Sequence, residues 1–94
     1  MSPNQRTFSL GRVVATPGAL QAFAHTEENY LPYLARHVSG DWGEVCPDDA
    51  QANDEALADG ARVLSAYSLR DGTRLWIVTA ADRSSTCILL PEEY

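Results

Sequence analysis

Ala61-Arg62-Val63-Leu64-Ser65-Ala66-Tyr67-Ser68-Leu69-Arg70-Asp71-Gly72-Thr73-Arg74-Leu75-Trp76-Ile77-Val78-Thr79-Ala80 is the stretch that decides the fold. Side chains alternate with a period of two on either side of Asp71-Gly72, which predicts strands over 62–70 and 73–80. Asp-Gly between two such runs is a strong signal for a two-residue hairpin turn. That turn sets a register with Tyr67 opposite Trp76, Ala66 opposite Ile77 and Leu64 opposite Thr79. One face then carries Leu64, Ala66, Leu75 and Ile77, and the other Val63, Tyr67, Leu69, Trp76 and Val78. Both faces are apolar enough to need cover.

Working outward, Ala81-Asp82-Arg83-Ser84 reads as a turn and 85–90 as a further strand, stopped by Pro91. Upstream, the punctuation is helical. Thr16-Pro17-Gly18 supplies an N-cap and a first-turn proline for a helix to about His25. A second helix starts near Asn29, accepts Pro32 in its first turn, and stops at Ser39-Gly40. A third opens at Cys46-Pro47-Asp48-Asp49, with acids at the positive end of its dipole, and runs to Asp59 before Gly60. Residues 7–14 predict a short first strand, and 1–6 a flexible arm. The expected architecture is one α+β domain over 1–94, with elements in the order β-α-α-α-β-β-β. It has an antiparallel sheet of three to four strands and three short helices on one face. The second sheet face calls for a subunit, a partner or the N-terminal arm.

A chain of 94 residues with 45% hydrophobic content has the size and composition of one globular domain. Its thirteen acids face seven bases, all of them arginine, for a net charge of −6. That balance argues against direct binding to nucleic-acid phosphates or anionic membranes, which need clustered Lys and Arg. The two cysteines, Cys46 and Cys87, are too few for a disulfide scaffold, and no secretory leader or apolar span is evident. A cytoplasmic location with free thiols is expected.

Chemistry-bearing patterns are sparse. His25 and His37 lack the close spacing of zinc ligands, and no Ca²⁺ loop, phosphate loop or dinucleotide fingerprint is present. No metal or cofactor is expected. Cys46 precedes a helix, where a thiol is activated, with His37 as its candidate base; however, Pro47 removes an amide, and Asp48 and Asp49 oppose a thiolate. A structural cap is the better reading of Cys46.

The concentrated signal is acidic. Between Arg36 and Arg62 lie Asp41, Glu44, Asp48, Asp49, Asp54, Glu55 and Asp59, and no lysine or arginine. On a helix, Asp48, Glu55 and Asp59 share one face, flanked by Asp49 and Asp54. Such a row steers cationic partners and imitates a phosphate line, whereas the bland reading is a solvated face. Trp42 is a candidate anchor beside it. The sheet face around Tyr67, Leu69 and Trp76, flanked by Arg74, is a second candidate surface, for core packing or a homodimer contact, with a peptide or partner site as the alternative.

Leu10-Gly11-Arg12-Val13-Val14-Ala15-Thr16-Pro17-Gly18-Ala19-Leu20, Gly40-Asp41-Trp42-Gly43 and Leu89-Leu90-Pro91-Glu92-Glu93-Tyr94 resemble segments of a family of short plasmid, phage and integrative-element proteins. The resemblance covers nearly the whole chain and carries no catalytic motif. By class analogy it implies an inhibitor of host defence, such as an anti-CRISPR or anti-restriction protein. The expectation is a non-enzymatic acidic protein that occupies the Arg/Lys-rich nucleic-acid surface of a host complex, first among them a type I CRISPR surveillance complex. It would act there as a monomer or weak homodimer. The alternatives are a homodimer module using the Tyr67/Trp76 face, and a small hydrolase using Cys46 or a carboxylate pair.

Overall fold

The computed structural model describes residues 8–94. The arm expected over 1–6 lies outside them, as does the first residue of the expected opening strand. The elements run β1 (Arg12–Ala15), α1 (Pro17–Thr26), α2 (Leu31–Val38), α3 (Pro47–Asp59), β2 (Val63–Ser68), β3 (Arg74–Thr79) and β4 (Ser85–Leu89), then a 3-10 turn at Pro91–Glu93. The α+β class and the order of elements are those expected from the sequence.

Each helix starts where its proline does. The Thr16 hydroxyl accepts from the Ala19 amide (3.2 Å) ahead of Pro17. The Asn29 side chain accepts from Leu31 N (2.8 Å) before Pro32. Pro47 opens α3, and Gly60 closes it in a left-handed conformation.

The strands form one sheet in the order β1-β4-β3-β2. The β2–β3 and β3–β4 pairs are antiparallel, whereas β1 joins β4 in parallel, so the sheet is mixed. The three helices between β1 and β2 carry the chain across the sheet, which makes that parallel docking possible.

The hairpin differs from its predicted register by one residue. Ala66 pairs with Trp76, Tyr67 with Leu75, and Leu64 with Val78. Leu69 N donates to Thr73 O, and Gly72 N to Leu69 O, both at 2.9 Å. The loop is therefore Arg70-Asp71-Gly72, with Gly72 at φ +89° in the bulge position. One extra loop residue places Tyr67 and Trp76 on opposite faces.

The helix-covered face carries Val63, Ser65, Tyr67, Leu75, Ile77, Thr79, Thr86 and Ile88, all at most 1% exposed. Phe23 of α1 with Leu34 and Val38 of α2 packs on its centre. Ala56 of α3 and Trp42 close it over Val63. On the opposite face Trp76, Val78 and Cys87 are half-buried. There Tyr94 meets Trp76 edge-on (5.5 Å), and the Arg62 guanidinium lies 5.9 Å from the Tyr94 ring.

The two sheet edges are treated differently. Along β2, Glu44 N donates to Ala66 O (2.7 Å) and Ala66 N to Trp42 O (3.1 Å). The Asn53 side chain takes the next position, donating to Leu64 O (2.8 Å) and accepting from Leu64 N (3.1 Å). Gly43, at φ +74°, is what lets the backbone come this close, since a Cβ there would collide with the Ala66 carbonyl. The outer edge of β1 has no such cover among the described residues.

Candidate functional site

Helix α3 is amphipathic in an uneven way. Asn53 and Ala56 are buried, and Ala50 and Leu57 are half-buried, which fixes the inward side. At 100° per residue Asp48, Glu55 and Asp59 fall opposite that side, and all three are exposed. Asp49 and Asp54 flank them and are also exposed. Among the described residues none of these five carboxylates belongs to an ion pair, the two there being Arg36–Asp41 and Arg74–Glu44. From Asp48 to Asp59 the helix rises roughly 16 Å, so the four intervals between the five charges average about 4 Å along its axis. One strand of a DNA duplex carries about one per 3.4 Å, and the full duplex twice that density. The set is thus somewhat sparser than a single strand, and at 100° per residue its charges spread over roughly 220° of the helix circumference, with Asp49 turned toward the Asn53 side.

The acidic segment is less uniform than its composition suggests. Asp41 accepts from Arg36 Nε (2.8 Å) and from Gly43 N (3.1 Å). The Arg36 hydrogen bond, followed by the Gly43 amide, holds its carboxyl below the usual carboxylate range. Asp41 is therefore a brace for the Trp42–Glu44 segment, not an open charge. Glu44 is shared between Ser68 Oγ (2.9 Å) and Arg74 Nη1 (3.4 Å). Trp42 is 5% exposed and packs against Phe8 and His37. Its indole N–H donates to Asp54 (2.9 Å). This corrects its expected role: an anchor for a partner must be accessible, and Trp42 is a core residue that Asp54 orients.

The second expected surface divides, and Tyr67 and Leu69 take its core-packing role. Tyr67 and Leu69 are 1% and 3% exposed beneath the helices. The Tyr67 hydroxyl donates to Asp41 O (2.6 Å), and Arg36 stacks 4.6 Å from its ring. Burial raises the Tyr67 phenol to about 12. Trp76 and Arg74 lie across the sheet on the opposite face. The one-residue shift in the hairpin separates these four side chains.

His37 is fully buried and unavailable to Cys46. Its Nδ1 lies 2.5 Å from Ser65 Oγ and its Nε2 2.9 Å from Thr79 Oγ1. Thr79 reaches Thr86 Oγ1 (2.7 Å), and the Thr86 hydroxyl donates to Leu10 O (2.7 Å). The carbonyl at the end of this chain can only accept, which fixes every proton behind it. Thr86 spends its proton on Leu10, and Thr79 on Thr86. Nε2–H then donates to Thr79, and Ser65 donates to Nδ1. His37 is thus the neutral Nε2–H tautomer, and burial, reinforced by the Arg83 charge, lowers its pKa to about 4. The visible signal for this chain was the alternation itself: Ser65 and Thr79 occupy apolar-period positions in their strands.

No family model, curated protein or solved structure matches the chain.

Cys46 is exposed ahead of α3 and its side chain caps nothing. Among the described residues no three His, Cys, Asp or Glu side chains gather as metal ligands. No helix among the described residues is long and apolar enough to cross a membrane. The polar cleft beside α3, lined by Asp49, Asn53, Arg62 and Leu64, measures about 310 Å³. It brings one carboxylate and one guanidinium to a shared rim, and no nucleophile.

Proposed function

We propose that this chain is a non-enzymatic binding protein that presents the outward face of α3 to a basic protein surface. The observation that supports this reading is the set of five exposed carboxylates, Asp48, Asp49, Asp54, Glu55 and Asp59, without an arginine ion-pair partner among the described residues. Asp48, Glu55 and Asp59 form the contact row, and Asp49 and Asp54 widen its field. Exposed charges of this kind set association rate and salt dependence more than packing does. Asp41 and Trp42 act from behind, by fixing the segment that leads into α3.

An axial spacing of about 4 Å, somewhat wider than the roughly 3.4 Å of one nucleic-acid strand, supports imitation of such a strand toward a protein channel lined with Arg and Lys. The resemblance to mobile-element proteins directs the first trial to a host defence complex, namely a type I CRISPR surveillance complex, whose target DNA the chain would displace. In a competition assay with labelled target DNA, the wild-type chain lowers DNA binding, and raised salt weakens that effect steeply. The variant Asp48→Lys/Glu55→Lys/Asp59→Lys, which brings the net charge from −6 to zero, competes no longer. Undiminished competition by that variant rules out the charge-row mechanism, and no competition by the wild type rules out this complex as the target.

A further inference from the structure

The open edge of the sheet offers a second surface, independent of α3. Arg12 N donates to Ser84 O (3.0 Å) and Thr16 N to Ile88 O (3.0 Å), both inward to β4. In a strand the intervening residues point the other way, so the N–H and C=O of Val13 and Ala15 face outward. Neither has a backbone partner on that side among the described residues. The side chains beside this edge are unusually apolar for a surface. Val13, Val14, Leu20, Tyr30 and Leu31 are 39–56% exposed, and they line a groove of about 400 Å³ floored by Leu34 and Ile88. No charged side chain among the described residues lines it.

We infer that β1 is the interface of a two-fold homodimer, in which the β1 strands of two copies pair antiparallel. An open edge with a row of free amides and carbonyls is a template for another strand. The spacing of this one is self-complementary: with the axis through Val14, each Val13 exchanges both backbone bonds with the partner's Ala15. The positive φ of Gly11 (+62°) ends the strand one residue before Arg12, so a longer overlap has no extended backbone to use. Val14 then meets its own copy in a non-hydrogen-bonded pair, with Cα atoms about 4.5 Å apart. Val13 and Leu20 are buried together on the helix side.

Charge favours a second copy as the occupant. The acids of α3 lie at the β2 edge, the far end of the sheet order from β1. In a sheet doubled through β1, the two β2 strands are seven strand spacings apart, roughly 33 Å, several times the screening length of about 8 Å at physiological salt. Two chains of net charge −6 therefore meet away from their α3 acids, at a strand whose one charged residue is Arg12. The faces proposed for partner binding stay open, so failure of either idea leaves the other standing.

The test is oligomeric state with a register probe. Light scattering and sedimentation at micromolar to hundreds of micromolar concentration give a concentration-dependent dimer for the wild type. Val14→Lys, a change at an exposed position, raises the dimer dissociation constant roughly tenfold or more while the circular dichroism spectrum stays unchanged. Cys87 lies beside Val14 in the sheet and would capture a thiol placed there. Val14→Cys is therefore made with Cys46→Ser and Cys87→Ser; on oxidation it cross-links to a dimer, because the axial pair falls within the usual disulfide range of about 4.4–6.8 Å. A monomer throughout the concentration range overturns the proposal, even if that monomer binds an added extended peptide. A dimer indifferent to Val14→Lys, or one that does not cross-link through position 14, overturns it equally, since the interface then lies elsewhere.

Discussion

His37 is where a single side chain carries the most consequence. Its ring links two strands of the sheet through Ser65 and Thr79, and it does so only while neutral. Its ordinary pKa of 6.5 falls to about 4 in the fold. Between those values the unfolded chain takes up a proton that the folded chain refuses, so stability is complete above pH 6.5 and declines as the pH falls toward 4. Full expression of that shift corresponds to roughly 3 kcal/mol. Chemical denaturation at pH 7 and pH 4.5 should show a loss of that order, over and above the loss from carboxylates, and His37→Gln should flatten the slope in this window. Thr79→Val breaks the same chain in the middle, leaving Nε2–H and the Thr86 oxygen without partners. It is expected to cost about 1–3 kcal/mol, read as a lower denaturation midpoint. These residues also show why part of the fold was not legible. Asp71-Gly72 suits a two-residue turn as well as a three-residue loop, because glycine serves the left-handed position in both. The choice is made by the buried hydroxyls, which draw Ser65 and Thr79 inward, whereas polar residues in a strand normally signal the outward face.

At the scale of elements, the helices were legible because their ends are written in proline, threonine and glycine. The carboxylate row of α3 was legible for the same reason: once the helix bounds are known, the angular positions of Asp48, Glu55 and Asp59 follow. Trp42, Asp41 and Asp54 were not separable from the row, because their hydrogen bonds span turns that no spacing rule covers. The outward row is exposed and its Gln51–Glu55 hydrogen bond (3.2 Å) lies on the surface of the same helix, so Asp48→Lys/Glu55→Lys/Asp59→Lys should leave thermal stability nearly unchanged. Asp48→Lys opposes the helix dipole and Asp59→Lys complements it, each by about 0.3–1 kcal/mol, and the two offset. A large drop in melting temperature would mean that the row has a structural role. Asn53 should behave in the opposite way. Its amide supplies both bonds to the backbone of Leu64 in a buried setting, and Asn53→Ala removes both at once. A loss of about 2–3 kcal/mol is expected in denaturant titration, together with faster exchange of the Leu64 amide.

For the whole molecule, the class and chain order of the elements followed from periodicity, whereas the parallel docking of β1 did not. Nothing within residues 12–15 states which neighbour the strand will choose; that is settled by where three helices deliver the chain. The result is a sheet whose two margins are unlike. One is sealed by an asparagine side chain and a passing loop, and the other has no such cover among the described residues. A ribbon able to grow from either margin would add copies without limit, and fibres are the outcome. Here growth has a single direction, and two molecules joined margin to margin present only sealed borders to a third. The seal that Asn53 provides is therefore also a stop signal for assembly, and removing it is expected to convert a finite particle into one prone to extend, visible as a rise in high-molecular-weight species on sizing Asn53→Ala.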